Sequence, residues 1–156
     1  MRTVYRVLAY AVAAEVIVQA MAMVFAIAGL GKWVEDGGVF DKSVMESDKA
    51  PFPEVVGFAI HGINGMMIIP LIALLLLISS FFAKIPGAVK WAALVLLLVV
   101  VQVTLGLVGH AVPAVGALHG LNALLLFSSA VYAARRRRTA AAGRVVEPEE
   151  RLATPA

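Results

Sequence analysis

The sequence predicts an all-α integral membrane protein, a four-transmembrane-helix bundle built from two parallel-repeat helical hairpins, with both termini cytoplasmic. Three observations predict it. Of 156 residues, 62% are hydrophobic and 15% charged, more apolar surface than one small water-soluble core can bury. The apolar residues fall into four runs, each on the scale of a hydrocarbon layer about 30 Å thick at about 1.5 Å per helical residue. Finally, the tetrapeptide His61-Gly62-Ile63-Asn64 returns as His119-Gly120-Leu121-Asn122, 58 positions later. The expected organisation is one transmembrane domain over 1–138 and a disordered cytoplasmic tail over 139–156, where Ala, Pro, Glu and Arg mix.

The first helix is expected over about 7–30. Arg2 and Arg6 precede it and Ala26-Ile27-Ala28-Gly29 resembles a cleavage site, so a signal peptide is the alternative. The length of the run, together with Glu15 and Gln19 inside it, favours a retained helix. Residues 31–56 form a polar loop with six acids, Glu35, Asp36, Asp41, Glu46, Asp48 and Glu54, against Lys32, Lys42 and Lys49. The second helix, about 55–83, contains Pro70, which removes a backbone donor and predicts a kink that neighbouring helices can accommodate. The third is expected over about 91–110. The fourth, about 117–134, follows a tight loop with Pro113 and Gly116.

Short-loop bases set the orientation. With four spans, Arg2, Arg6, Lys84, Lys90 and the block Arg135 to Arg138 fall on one side and the acidic loop on the other, which places both termini in the cytoplasm. Trp33 and Trp91 fall near opposite interfaces, where indoles are favoured. The net charge of +3 resides mostly at the ends of apolar runs, so it orients the chain in a lipid bilayer and is no nucleic-acid footprint.

A second echo supports duplication: Ile17-Val18-Gln19 in the first helix resembles Val100-Val101-Gln102 in the third, where 83 positions separate the two glutamines. The longer first outer loop accounts for the difference from 58. Two hairpins related by an axis along the membrane normal would bring His61 and His119 to one depth, facing each other. Proline offsets agree, because His61 lies eight residues after Pro53 and His119 six after Pro113.

The chemistry follows from a short inventory. Cysteine is absent, which excludes disulfides, thiolate sites, iron–sulfur clusters and covalent haem attachment through CxxCH. His61, His110 and His119 are the only histidines. An imidazole inside an apolar bundle needs a partner, and two facing imidazoles can fill both axial positions of a haem iron while the apolar macrocycle packs among aliphatic side chains. Gly65 and Ala123, each four residues past a histidine, leave room for a ring on that helix face. Asn64 and Asn122, at three residues, are placed to hydrogen-bond a carbonyl, an imidazole or a propionate. Two other readings stand beside haem: interfacial histidines satisfied by water or carbonyls, and a zinc or copper site with His110 as a further ligand. His110 is otherwise an outer-end residue and a propionate or carbonyl partner. Glu15, an acid within a membrane helix, is a functional candidate in its own right, with a structural acid bonded to Gln19 or a neighbouring helix as its plainer reading.

A four-helix unit with a histidine near the outer start of its second and fourth helices resembles one half of the haem A synthase family. It also resembles small bacterial four-helix membrane proteins with an H-x-x-N or H-x-x-G repeat. The resemblance covers roughly 7–134 and implies a haem-holding bundle with His61 and His119 as axial ligands. Phe58 and Gly62 stand where the synthases place a glutamate and an arginine around the histidine, and Gly116 and Gly120 flank His119 in the second repeat. The loop cysteines of some members are missing, and the chain is about half the family's length.

The expected function is a b-type cytochrome binding one haem b through His61 and His119 near the outer face and transferring electrons, more an electron carrier than an enzyme. A respiratory-chain or other redox partner at the outer face and a homo-oligomer accompany it. The alternatives are a cofactor-free accessory subunit of a larger membrane complex, and an enzyme of haem metabolism related to haem A synthase.

Overall fold

The computed structural model describes residues 1–47 and 49–136. The tail expected over 139–156 lies outside them, as do Arg137 and Arg138 of the arginine block. Helix α1 spans Arg2–Glu35. A short helix α2, Lys42–Met45, sits in the polar loop. Helix α3 runs Pro53–Ser80, α4 Ala88–Gly109 and α5 Pro113–Arg135. Among the described residues, α1, α3, α4 and α5 are the four helices long and apolar enough to cross a membrane, so the chain is a multi-pass, all-helical membrane protein.

The helix ends follow local chemistry. Pro113 opens α5 at a position where no N–H is needed, and Pro53 does the same for the 3-10 turn Pro53–Val55 that begins α3. Ser79 and Ser80 turn their hydroxyls back to the carbonyls of Leu76 and Leu77, and α3 stops there, three residues short of the expected Ala83. Gly87, with φ +72°, supplies the left-handed residue immediately before α4. The short helix α2 is capped by Asp41, whose carboxylate accepts from the Val44 amide at 3.1 Å and from the Ser43 hydroxyl at 2.6 Å. Those bonds to its charged form hold the Asp41 carboxyl below the usual aspartate range.

Pro70 predicts an irregularity in α3. The irregularity lies just before it, as a π turn over Asn64–Ile68 inside α3. Proline lacks the N–H that would bond the carbonyl four residues back, and its ring presses on that carbonyl. The wider turn relieves both.

Helices α1 and α4 each pack against both α3 and α5, so the four form an antiparallel bundle with α3 and α5 on one diagonal. The largest fully buried side chains, Tyr5, Val12, Leu76, Val95, Val99 and Leu126, all lie in the half nearest the arginines. Alanines at positions 9, 73, 92, 130 and 133 join them and let the helices approach closely, which membrane bundles need because lipid tails give helix association no hydrophobic drive. Leucines, valines and isoleucines such as Val24, Leu71, Leu97 and Leu124 face outward instead. At that end Arg6 donates to the Ala134 carbonyl at 3.1 Å, and Arg136 donates to the Pro86 carbonyl at 2.8 Å beside the Trp91–Tyr132 pair. The chain start, the 81–87 turn and the end of α5 therefore meet at one basic end.

In the opposite half the contacts are glycine contacts. Gly57 of α3 lies against Ala22 and Ala26 of α1, and a Cβ placed on Gly109 of α4 would come within 2.9 Å of the Gly116 Cα of α5. Trp33 stacks on Phe52 at the far end, with ring centres 5.6 Å apart.

Candidate functional site

Between the dry apolar half and the glycine crossings lies a polar layer built from four helices. His61 comes from α3 one turn before the π segment, and His119 from the second turn of α5. Their rings face each other across the diagonal, with centroids 6.0 Å apart and planes inclined by 55°. Each ring is tethered in the same way. His61 Nδ1 lies 3.3 Å from the backbone oxygen of Gln19 on α1, and His119 Nδ1 lies 3.0 Å from that of Gln102 on α4. A carbonyl oxygen can only accept, so Nδ1 carries the proton and Nε2 keeps its lone pair free on both rings.

The asparagines lie one turn deeper. Asn122, buried, donates to the Leu98 carbonyl at 2.9 Å and to Gln102 Oε1 at 2.6 Å, while Gln102 Nε2 donates to the His119 carbonyl at 3.1 Å. Asn64 donates to the carboxylate of Glu15 at 2.7 Å. Glu15 and Leu98 are each four residues before their glutamine, so both asparagines reach across to equivalent places on the adjoining helix. The two halves differ in completeness. Both ends of the Gln102 carboxamide are bonded, whereas among the described residues the buried amide nitrogen of Gln19 has no hydrogen-bond partner.

Of the small residues expected to make room for a ring, Gly65 instead admits the Gln19 carboxamide: a Cβ there would lie 3.2 Å from Gln19 Oε1. Ala123 is partly buried on α5. A Cβ on Gly62 or Gly120, the residues following the two histidines, would meet nothing within 4 Å, and one on Gly106 of α4 would lie 3.1 Å from the His119 ring. His110 is the exposed cap of α4. Among the described residues no three histidine, aspartate or glutamate side chains converge, so His110 does not join the pair as a third ligand for a bare ion.

Sequence reasoning named His61, His119, Asn64 and Asn122, and these four are brought into one layer. It set Gln19 beside Glu15 as a candidate partner and otherwise used Gln19 and Gln102 as an echo of duplication, without assigning either to the histidine layer. Gly106 gave no signal. No protein-family model, curated protein or solved structure matches the chain.

Proposed function

We propose that the protein is a small membrane b-type cytochrome in which His61 and His119 hold one haem and which serves one-electron transfer. The observation that carries this is the imidazole pair: two rings 6.0 Å apart, each tied at Nδ1 to a backbone carbonyl. Two facing imidazoles, each engaged at Nδ1 and free at Nε2, would hold one iron between them. Hydrogen bonding at Nδ1 is also how ligand histidines are oriented and made more basic. A porphyrin supplies four further nitrogens, so two protein ligands suffice where a bare zinc or copper ion would want more. The largest fully buried side chains lie in the other half, which leaves the histidine layer lined by smaller and polar groups.

When bound, the group supplies a one-electron iron couple. The chain's part is to hold both imidazoles at fixed orientation and to exclude water with lipid-facing helices. Two axial histidines leave no position for oxygen, which favours electron transfer over oxygen chemistry.

Duplication is part of the reading. The equivalence of Gln19 with Gln102, His61 with His119 and Asn64 with Asn122, each pair making the corresponding contact, supports two related hairpins. We place the basic end, with both termini, at the cytoplasmic face of the cell membrane and the histidines toward the outer face, where a redox partner would dock.

The test is an absorption spectrum of detergent-purified protein, oxidised and reduced with dithionite. A strong Soret band with sharp reduced α and β bands is expected. His61→Ala and His119→Ala should each lose the pigment or convert its spectrum, and His110→Ala should keep it. A colourless preparation from haem-replete cells overturns the proposal.

A further inference from the structure

We infer that Glu15, bonded to Asn64 and one turn from the unpartnered amide of Gln19, is a proton site whose occupancy follows the charge of the redox centre between His61 and His119; this rests on the cytochrome reading. The observation is an asymmetry between otherwise matching halves. On the α4 side, the group four residues before the glutamine is Leu98, which offers a neutral backbone carbonyl to Asn122. On the α1 side, the same place holds an ionisable acid that accepts from Asn64 at 2.7 Å. The Gln19 amide nitrogen beside it is buried with a hydrogen unspent.

An acid in the hydrocarbon layer is expensive to keep and is by default part of a proton or ion path. Among the described residues the group bonded to it is Asn64 of α3. The polar groups of the same layer are His61 one turn before Asn64, and His119 and Asn122 of α5. Helix α4 has no charged side chain between Lys90 and its end at Gly109, and the nearest charges on α1 itself are Arg6 and Lys32, about two and a half turns and nearly five turns away. Among the described residues the Glu15 carboxylate bonds the neutral Asn64 and no cation. A metal centre held by His61, one turn from Asn64, is then the strongest local source of changing charge.

The step balances simply. One electron from an external one-electron donor lowers the charge of the centre by one, and one proton from the aqueous phase binds a Glu15 carboxylate oxygen. No covalent bond to carbon changes. The ionised carboxylate stabilises the oxidised, more positive centre. Loss of the proton therefore lowers the midpoint potential, and its uptake raises it.

The experiment is a spectroelectrochemical titration of purified holoprotein at a series of pH values, for the wild type and Glu15→Gln. The wild-type midpoint should fall as pH rises. The Gln variant, neutral and still able to accept from Asn64, should remain on the acid-side plateau throughout. The same pH dependence in both proteins overturns the inference and leaves the cytochrome intact, whereas a colourless wild type overturns both. Should the variant not assemble, the oxidised-minus-reduced infrared spectrum of the wild type decides: a protonated-carboxyl C=O band gained on reduction is expected, and its absence counts against Glu15.

Discussion

At the scale of residues, the site is held by polar side chains whose alternatives in lipid are poor. Asn122 is the most connected, donating to both the Leu98 carbonyl and the Gln102 carboxamide. Interhelical hydrogen bonds in membranes average about 0.6 kcal/mol, and Asn122→Ala removes two, so a loss of about 1 kcal/mol is expected. Reversible unfolding in mixed micelles measures it; unchanged stability would mean the pair is idle. Histidine and asparagine stood out in the sequence because such residues are rare in apolar runs and need a reason to be there. The carbonyls of Gln19 and Gln102 that tether the rings left no trace, since a backbone oxygen carries no residue signature. The close fit of Gly106 beneath the His119 ring was equally silent, because glycine serves many purposes in a membrane helix.

At the scale of elements, the four spans were legible from apolar length alone, and their ends moved by a few residues where proline and serine chemistry decided them. The π turn was not. Pro70 announced an irregularity in α3, but its place was set by what the helix on either side must face. Before the turn, His61 and Asn64 match His119 and Asn122 at an offset of 58. After it, the buried residues Ile69, Ala73 and Leu76 match the buried Leu126, Ala130 and Ala133 at 57. One extra residue in the wide turn thus lets α3 keep both its polar layer and its apolar core in register. Deleting the lipid-facing Met66 should give α3 the spacing that regular α5 has between His119 and Leu126, converting the wide turn to an ordinary α turn with His61 and the core half still in register. Circular dichroism should report unchanged helix content, and the pigment should be kept. Lost pigment would show that the wide turn itself aims His61.

At the scale of the whole molecule, the basic end gathers Arg6, Pro86, Trp91, Tyr132 and Arg136, and the acidic segment with α2 lies at the other. The chain has no cysteine, so single cysteines report sidedness without background. A membrane-impermeant maleimide applied to intact cells should label Ser43→Cys. Lys84→Cys should react only after the membrane is opened, and the reverse pattern would invert the orientation. The packing of the two halves was less readable than their topology. Composition gives no hint that large side chains fill one half and glycine contacts the other, because the same leucines and valines serve equally well facing lipid.

The diagonal placement of His61 and His119 bears on how such a molecule comes to be made. Helices α4 and α5 are joined by three residues and meet at Gly109 and Gly116, so that hairpin can close within the bilayer by itself. The other hairpin supplies the opposite imidazole. Neither owns a complete pair, so a guest bridging the rings can be captured firmly only once the two hairpins have come together. A haem held as proposed would then mark the end of assembly and lock one hairpin to the other.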